Sequence, residues 1–127
     1  MKIPGPDHPI EIAANPNKVR VVFAGRVIAE STRAVTLREA SYPPVQYIPR
    51  EDVRMELLER IQHSTHCPYK GDAAYYDIKA GDRTAASAVW TYEEAYPSVA
   101  EIEGKLAFYP DRVDAIEDLP AETASRK

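Results

Sequence analysis

The sequence predicts a mainly β domain of antiparallel strands with one short central helix. Three observations carry this prediction. Apolar and polar residues alternate from Lys18 onwards, and a glycine turn at Ala80-Gly81-Asp82 separates two further strand-like runs. Convincing helical spacing of apolar residues occurs in one segment, which begins after Pro49.

The composition restricts the kinds of partner that we expect. At 127 residues the chain has the length of a single domain. A net charge of -4 and a pI near 5.4 argue against binding to nucleic acid, which needs clustered positive charge. No apolar run approaches the roughly 20 residues of a membrane helix, so no membrane partner is expected. A lone cysteine and the lack of a signal-peptide pattern predict a cytoplasmic protein.

The first 17 residues predict an extended, proline-rich arm. Four of the eleven prolines lie within the first sixteen residues, where they favour extended backbone. Ile10 and Ile12 alternate with Glu11, so we expect the arm to be tied to the body of the domain. Residues 18–115 form the predicted domain, and residues 116–127 a polar, frayed tail.

The next segment predicts three antiparallel strands in succession. Val19, Val21 and Phe23 fall on one face of the first strand. A turn at Gly25 leads into the run VIAES, and a third alternating run, RAVTLRE, follows. The simplest arrangement pairs each strand with the one before it.

The central helix is predicted from Pro49 onwards. Proline is favoured at the first position of a helix, and acidic residues in the first turn suit the helix dipole. Val53, Leu57 and Ile61 are four residues apart and form one apolar stripe. Before this helix, the run VQYI predicts a short extended piece.

Two strands are predicted within the run DAAYYDIKAGDRTAASAVWTY, because the central glycine can supply the positive φ of a tight turn. A helical turn that starts at Ser98 and a last strand within KLAFYPDRV complete the predicted elements.

Four phrases read together indicate a family: GRVIAESTRAVTLREASYPPVQYIPREDV, THCPYKGDAAYY, AVWTYEEAYP and GKLAFYPDRVD. They closely resemble bacterial proteins of the domain-of-unknown-function family four-two-seven, in order and with matching spacing over about residues 1–114. This resemblance implies twisted antiparallel sheets of the Mss4-like or β-tent type, found also in methionine sulfoxide reductase B and in zinc-bearing ligand-binding domains. It implies an uncharacterised function. The family is also catalogued under a nucleotidyltransferase label, but the sequence lacks a glycine-rich phosphate loop and paired aspartates for magnesium.

Cys67 is the candidate nucleophile if the protein is an enzyme. A thiol reacts as thiolate, which requires a nearby positive charge, a histidine or a helix start. His66 is adjacent in an extended run and therefore points to the opposite face, whereas Lys70 approaches only if the chain turns at Pro68. A buried structural thiol is the favoured interpretation. A thiol-dependent enzyme remains the alternative, and it would need an external thiol because no second cysteine is present.

The run HSTHC contains His63, His66 and Cys67 as possible metal ligands. Structural zinc sites use four ligands, usually in closely spaced pairs, and the chain has one cysteine and three histidines. The zinc-bearing relatives of the implied fold hold their metal with CxxC pairs, which are absent here. No metal and no other cofactor is predicted.

A pocket lined by aromatic and charged side chains is the favoured candidate site. Eight tyrosines against two phenylalanines favour rings with one polar end at a wet surface, although cross-strand core pairs are the common role of such residues. The predicted ligand-binding residues are Arg50, Lys70, Tyr75, Trp90, Tyr92 and Glu93. The ligand would be a small molecule or a peptide end. Self-association through an exposed strand edge or the proline-rich arm is a further alternative, so a homo-oligomer stays open.

Overall fold

The computed structural model describes residues 1–120, and most of them lie in short β-strands. The strands are β1 (Ile10–Ala14), β2 (Lys18–Phe23), β3 (Arg26–Ser31), β4 (Val35–Glu39), β5 (Val45–Tyr47), β6 (Leu58–Cys67), β7 (Gly71–Ala80), β8 (Arg83–Tyr92), β9 (Leu106–Phe108) and β10 (Ala115–Leu119). Short 3-10 helical turns cover Arg50–Asp52, Met55–Leu57 and Pro97–Ile102. Within this described part, no helix is long and apolar enough to cross a membrane. The predicted mainly β fold class is confirmed.

The strands form three antiparallel sheets, with the orders β1-β4-β5, β10-β2-β3 and β6-β7-β8-β9. Ile48, just after β5, exchanges two backbone hydrogen bonds with Leu106 of β9, each 2.8 Å long. This seam joins the first sheet to the third. A bridge between Ala29 and Val53 connects the second sheet to the segment before β6.

Strand alternation divides the core into two clusters on opposite faces of β7 and β8. Tyr75 is paired with Trp90, and its neighbour Tyr76 is paired with Val89. Because successive side chains on a strand point to opposite faces, Tyr75 packs in one cluster and Tyr76 in the other. The first cluster is centred on aliphatic residues of β2, β3, β7 and β8, and the second is rich in tyrosine.

The predicted central helix is wrong. Its first half forms two separate 3-10 turns, and its second half begins β6 at Leu58. The Arg54 amide donates to the Ile28 carbonyl at 2.8 Å, so the backbone between the two turns is hydrogen-bonded to β3 and does not continue as a helix. Ile61 is paired with Tyr75 in the β6–β7 ladder. Pairing with distant strands has overridden local helical spacing.

The two terminal segments pair with strands that are distant in sequence, so the structure differs from the prediction at the C-terminal tail. Residues 116–119 belong to β10, which pairs with β2, so the prediction of a frayed tail is wrong for them; residues 121–127 lie outside the described part. The arm is tied down as expected, because β1 pairs with β4. The β2–β3 hairpin is confirmed, but β4 pairs with β1 and β5, so the three-strand succession is wrong.

We expect Gly71→Ala to destabilise the protein by about 2 kcal/mol, because Gly71 has a φ of +117° that L-residues rarely adopt. An added Cβ would also lie 3.1 Å from the backbone oxygen of Glu94. The free energy of unfolding, measured in urea, tests this. Gly81→Ala is the matched control, since Gly81 has a φ of +64° and open space around it. Equal costs for the two variants would contradict a role for the Glu94 contact.

Candidate functional site

The tyrosine-rich cluster surrounds a cavity of about 190 Å³ between β4, β5, β7 and β8. Alternate positions of a strand face it, so β4, β5 and β8 each contribute two residues that are two positions apart, such as Leu37 and Glu39 or Trp90 and Tyr92, and β7 contributes Tyr75. We call it the tyrosine cavity. Its lining residues are Leu37, Glu39, Tyr42, Pro43, Val45, Tyr47, Lys70, Tyr75, Trp90, Tyr92 and Tyr109.

The charged wall of the tyrosine cavity is an ion pair between Lys70 and Glu39. The Lys70 ammonium donates a hydrogen bond to Glu39 Oε1, and each of the two side chains is only 11% exposed. The second carboxylate oxygen, Oε2, lies 2.6 Å from Nε2 of His8, whose ring is stacked on Tyr69. Burial raises the pKa of Glu39, but the hydrogen bonds with Lys70 and His8 outweigh it and hold that pKa below its usual value. Glu39 is therefore an anion with both oxygens engaged.

Lys70 is positioned by the turn between β6 and β7. Its backbone amide donates to the Cys67 carbonyl at 3.3 Å, and its carbonyl accepts from the Tyr96 amide at 3.0 Å. The ammonium group lies 6.0 Å from the centre of the Tyr92 ring, within the range of a cation–π interaction. The chain does turn at Pro68, and the turn places Lys70 in the wall of the cavity.

The tyrosine hydroxyls of the cavity differ in how they are paired. The Tyr47 hydroxyl accepts from Trp90 Nε1 at 3.2 Å, and the Tyr75 hydroxyl is 2.8 Å from Thr65 Oγ1. The Tyr92 side chain is only 6% exposed, and among residues 1–120 nothing pairs with its hydroxyl. Tyr92 is therefore the polar group of the cavity with the most to gain from a bound molecule.

The hydroxyls of Tyr47, Tyr92 and Tyr109 stay protonated at neutral pH. Burial raises the pKa of Tyr47 and of Tyr92 far above the ordinary value of a phenol. Burial, together with a hydrogen bond that the Tyr109 hydroxyl donates to Tyr75, raises the pKa of Tyr109 to about 12. These groups can donate hydrogen bonds, and Lys70 has two N–H groups beyond the one that faces Glu39. The unused hydrogen-bonding capacity of the cavity is therefore mostly donor capacity.

A second, larger cavity of about 410 Å³ adjoins the first, and we call it the apolar cavity. The two cavities have five lining residues in common: Tyr42, Pro43, Val45, Trp90 and Tyr109. The remaining lining residues of the apolar cavity are Val21, Pro44, Gln46, Ile48, Phe108, Pro110 and Ile116. None of these described lining residues is charged.

The structure brings together four of the six predicted site residues. Lys70, Tyr75, Trp90 and Tyr92 all line the tyrosine cavity. Whether they bind a ligand stays a prediction.

Arg50 and Glu93 lie elsewhere, so their predicted position in this pocket is wrong. Arg50 Nη2 donates to the Tyr76 hydroxyl at 2.8 Å, on the opposite face of β7, and Glu93 forms an ion pair with Arg60. The cause is alternation along the strand, because Tyr75 and Tyr76 cannot face the same side.

Sequence reasoning missed Glu39, Tyr109 and His8. One signal could have found Glu39, because the run VTLRE places it on the same face as Val35 and Leu37, where a charge is unusual. His8 and Tyr109 come from segments that local patterns do not orient.

Cys67 and the histidines of HSTHC form no centre in the structure. Cys67 is half-buried, packs against the tyrosine-rich cluster and lines neither cavity. His66 Nδ1 lies 2.7 Å from an Asp72 oxygen, while the His63 ring packs 4.4 Å from the Tyr75 ring. Among the residues that the structure describes, no group of three or more His, Cys, Asp or Glu side chains could hold a metal ion.

Fold and cavities together define a class of protein, a mainly β antiparallel domain with a small polar cavity beside a larger apolar one. Within that class, the chain belongs to the family described as Domain of unknown function (DUF427), whose model matches residues 11–119. The family resemblance drawn from the sequence is thereby confirmed, and the function is one that the family leaves open. Among curated proteins, no significant match to the chain is found. The finer expectation of a β-tent stays a prediction.

Proposed function

We propose that the protein binds a small molecule in the tyrosine cavity, through an oxygen-bearing head such as a carbonyl or carboxylate. Lys70 and Tyr92 would donate hydrogen bonds to that oxygen, and the rings of Tyr75 and Trp90 would cover the adjacent part of the ligand. The observation that carries the proposal is Tyr92, which lines the cavity, is only 6% exposed, forms no hydrogen bond through its hydroxyl with another of residues 1–120, and has the Lys70 ammonium 6.0 Å from the centre of its ring.

The balance of donors and acceptors supports an acceptor on the ligand. Both oxygens of Glu39 are already engaged by Lys70 and His8, so Glu39 has little capacity left for a ligand donor. A ligand oxygen, by contrast, would satisfy the Tyr92 hydroxyl and one free N–H of Lys70 at the same time. Hydrogen bonds to charged groups contribute about 1.5–3 kcal/mol each, which makes Lys70 the stronger anchor.

Charge supports a small molecule over nucleic acid as the partner. The chain carries a net charge of -4, and the lysine of the cavity is already neutralised by Glu39. Phosphate backbones bind to clusters of unpaired Lys and Arg instead. A cytoplasmic location is part of the proposal, supported by the single cysteine, since disulfides are rare in that compartment.

Tyr92→Phe tests the proposal. A panel of short carboxylates and primary amides, from acetate and acetamide to butyrate and butyramide, is titrated against the protein while Trp90 fluorescence is recorded. We expect Tyr92→Phe to weaken the binding of every responding probe by about tenfold, the equivalent of one hydrogen bond.

Tyr76→Phe is the matched control, because Tyr76 lies beside Tyr75 in β7 but faces the other cluster and pairs with Arg50. It should lower stability and leave probe binding unchanged. Unaltered binding by Tyr92→Phe, or a panel without any response, would overturn the proposal.

A further inference from the structure

We propose that the tyrosine cavity and the apolar cavity form one binding site for an amphipathic molecule. This inference rests on the proposed function and extends it, because it names the ligand class: an acid or amide whose oxygen-bearing head reaches Lys70 and whose apolar chain fills the apolar cavity.

The shared wall of the two cavities is the first support. Trp90 and Tyr109, whose ring centres are 4.4 Å apart, line both cavities, and so do Tyr42 and Pro43 of the loop between β4 and β5. A ligand whose head lies against Lys70 can therefore continue along these rings without leaving the protein surface. A cavity of about 190 Å³ is small for a complete metabolite, whereas typical ligand pockets measure about 300–1,000 Å³.

The division of polarity between the two cavities is the second support. The tyrosine cavity contains the Glu39–Lys70 pair, and no charged side chain of the described residues lines the apolar cavity. Gln46 is the one side-chain amide that lines the apolar cavity among residues 1–120, and its Oε1 already accepts hydrogen bonds from Asn15 and Thr36, each 3.0 Å long. Burying hydrocarbon of a ligand against such a surface is favourable, whereas a polar group of the ligand would find few hydrogen-bond partners there.

Exposed apolar side chains at the mouth of the apolar cavity are the third support. Tyr42 is 64% exposed and Ile116 is 36% exposed, and both line this cavity. An apolar chain bound there would remove part of both side chains from water. The site therefore fits a single alkyl chain or ring attached to the head, and the apolar contact should increase with chain length.

A series of straight-chain carboxylates tests the inference on the full-length protein. Butyrate, hexanoate and octanoate carry the same head, and Trp90, the only tryptophan, reports on both cavities through its fluorescence. We expect the dissociation constant to fall about fourfold for each added methylene, as hydrocarbon burial predicts. Octylammonium, with an equal tail and a cationic head, should bind at least tenfold more weakly than octanoate, because its N–H groups need acceptors and the unused hydrogen-bonding capacity beside Lys70 is mostly donor capacity.

Ile116→Gln should weaken octanoate about fivefold and leave butyrate unchanged. Val27→Gln is the matched control, because Val27 is 40% exposed on the same sheet and lines neither cavity. Both positions are partly exposed, so both variants are expected to fold, and a thermal melt verifies this.

The outcomes separate this inference from the proposed function. Equal affinities for butyrate and octanoate, with binding still weakened by Tyr92→Phe, would overturn the inference and leave the proposed function standing. Equal affinities for octanoate and octylammonium, with no effect of Tyr92→Phe, would overturn the proposed function instead. No binding by any of the three carboxylates would overturn both.

Discussion

Replacing Glu39 by alanine should destabilise the protein by about 3 kcal/mol at pH 7, the lower end of the range for breaking a buried ion pair. The substitution leaves the Lys70 ammonium, only 11% exposed, without a counter-charge, and it removes the partner of His8. Urea denaturation at pH 7 measures the effect. The exposed pair between Lys79 and Glu59 supplies the control, and Glu59→Ala should cost less than about 0.5 kcal/mol.

A double variant distinguishes the ion pair from simple loss of packing. Lys70→Met alone leaves the Glu39 carboxylate without its strongest partner, so it should be destabilising as well. Glu39→Met combined with Lys70→Met removes both charges, and we expect a cost well below the sum of the two single variants. Additive costs would contradict a strong interaction between the two side chains.

The pH dependence of the Glu39 contribution has a definite sign. The pKa of Glu39 is lowered in the folded protein, by partners that outweigh the opposing effect of burial. The folded state therefore binds fewer protons at this group than the unfolded chain, whose carboxyl has a pKa of about 4.3. The contribution should be fully present above that value and lost as the pH falls through the folded pKa. The stability difference between the original protein and Glu39→Gln should accordingly shrink below about pH 4.

Local patterns predicted those parts of the fold that local contacts determine. The β2–β3 hairpin and the β7–β8 hairpin around Gly81 join neighbouring segments, and alternation with a glycine turn was sufficient to find both. One of the two partners of β4 is β1, on the far side of the first hairpin, and no local signal specifies such a choice. The predicted helix failed for the same reason, because the Ile28 carbonyl takes the backbone hydrogen bond of Arg54.

The candidate site shows a similar division. The residue types were a good guide, since a lysine and three aromatic residues of the prediction do meet in one cavity. Arg50 and Glu93 were misplaced because the sequence does not tell which face of the sheet carries the cavity, and both side chains pair away from the face of Tyr75 and Tyr92. Glu39 was overlooked because a charge inside an apolar face is compensated by Lys70 and His8, each 31 residues away in sequence. Such compensation becomes visible only when the strands are assembled.

Leu106→Ala should destabilise the protein by about 3 kcal/mol, as is typical of a fully buried leucine. Leu106 has no exposed surface, and it lies at the seam where two sheets meet through its paired hydrogen bonds with Ile48. The same seam brings β5 next to β9, so it positions Tyr47 against Trp90 across the tyrosine cavity. The variant should therefore alter the near-ultraviolet circular dichroism of Trp90 even at temperatures where the protein remains folded.

Val27→Ala separates this effect from general loss of hydrocarbon, since Val27 is 40% exposed and lies in a sheet that the seam does not join. This variant should cost less than about 0.5 kcal/mol and leave the Trp90 signal unchanged. A loss below about 1 kcal/mol for Leu106→Ala, with an unaltered Trp90 signal, would mean that the two walls are held by the tyrosine-rich cluster itself. In that case cavity geometry would depend on Tyr47 and Trp90 directly, and ligand affinity would respond to their substitution but not to changes at the seam.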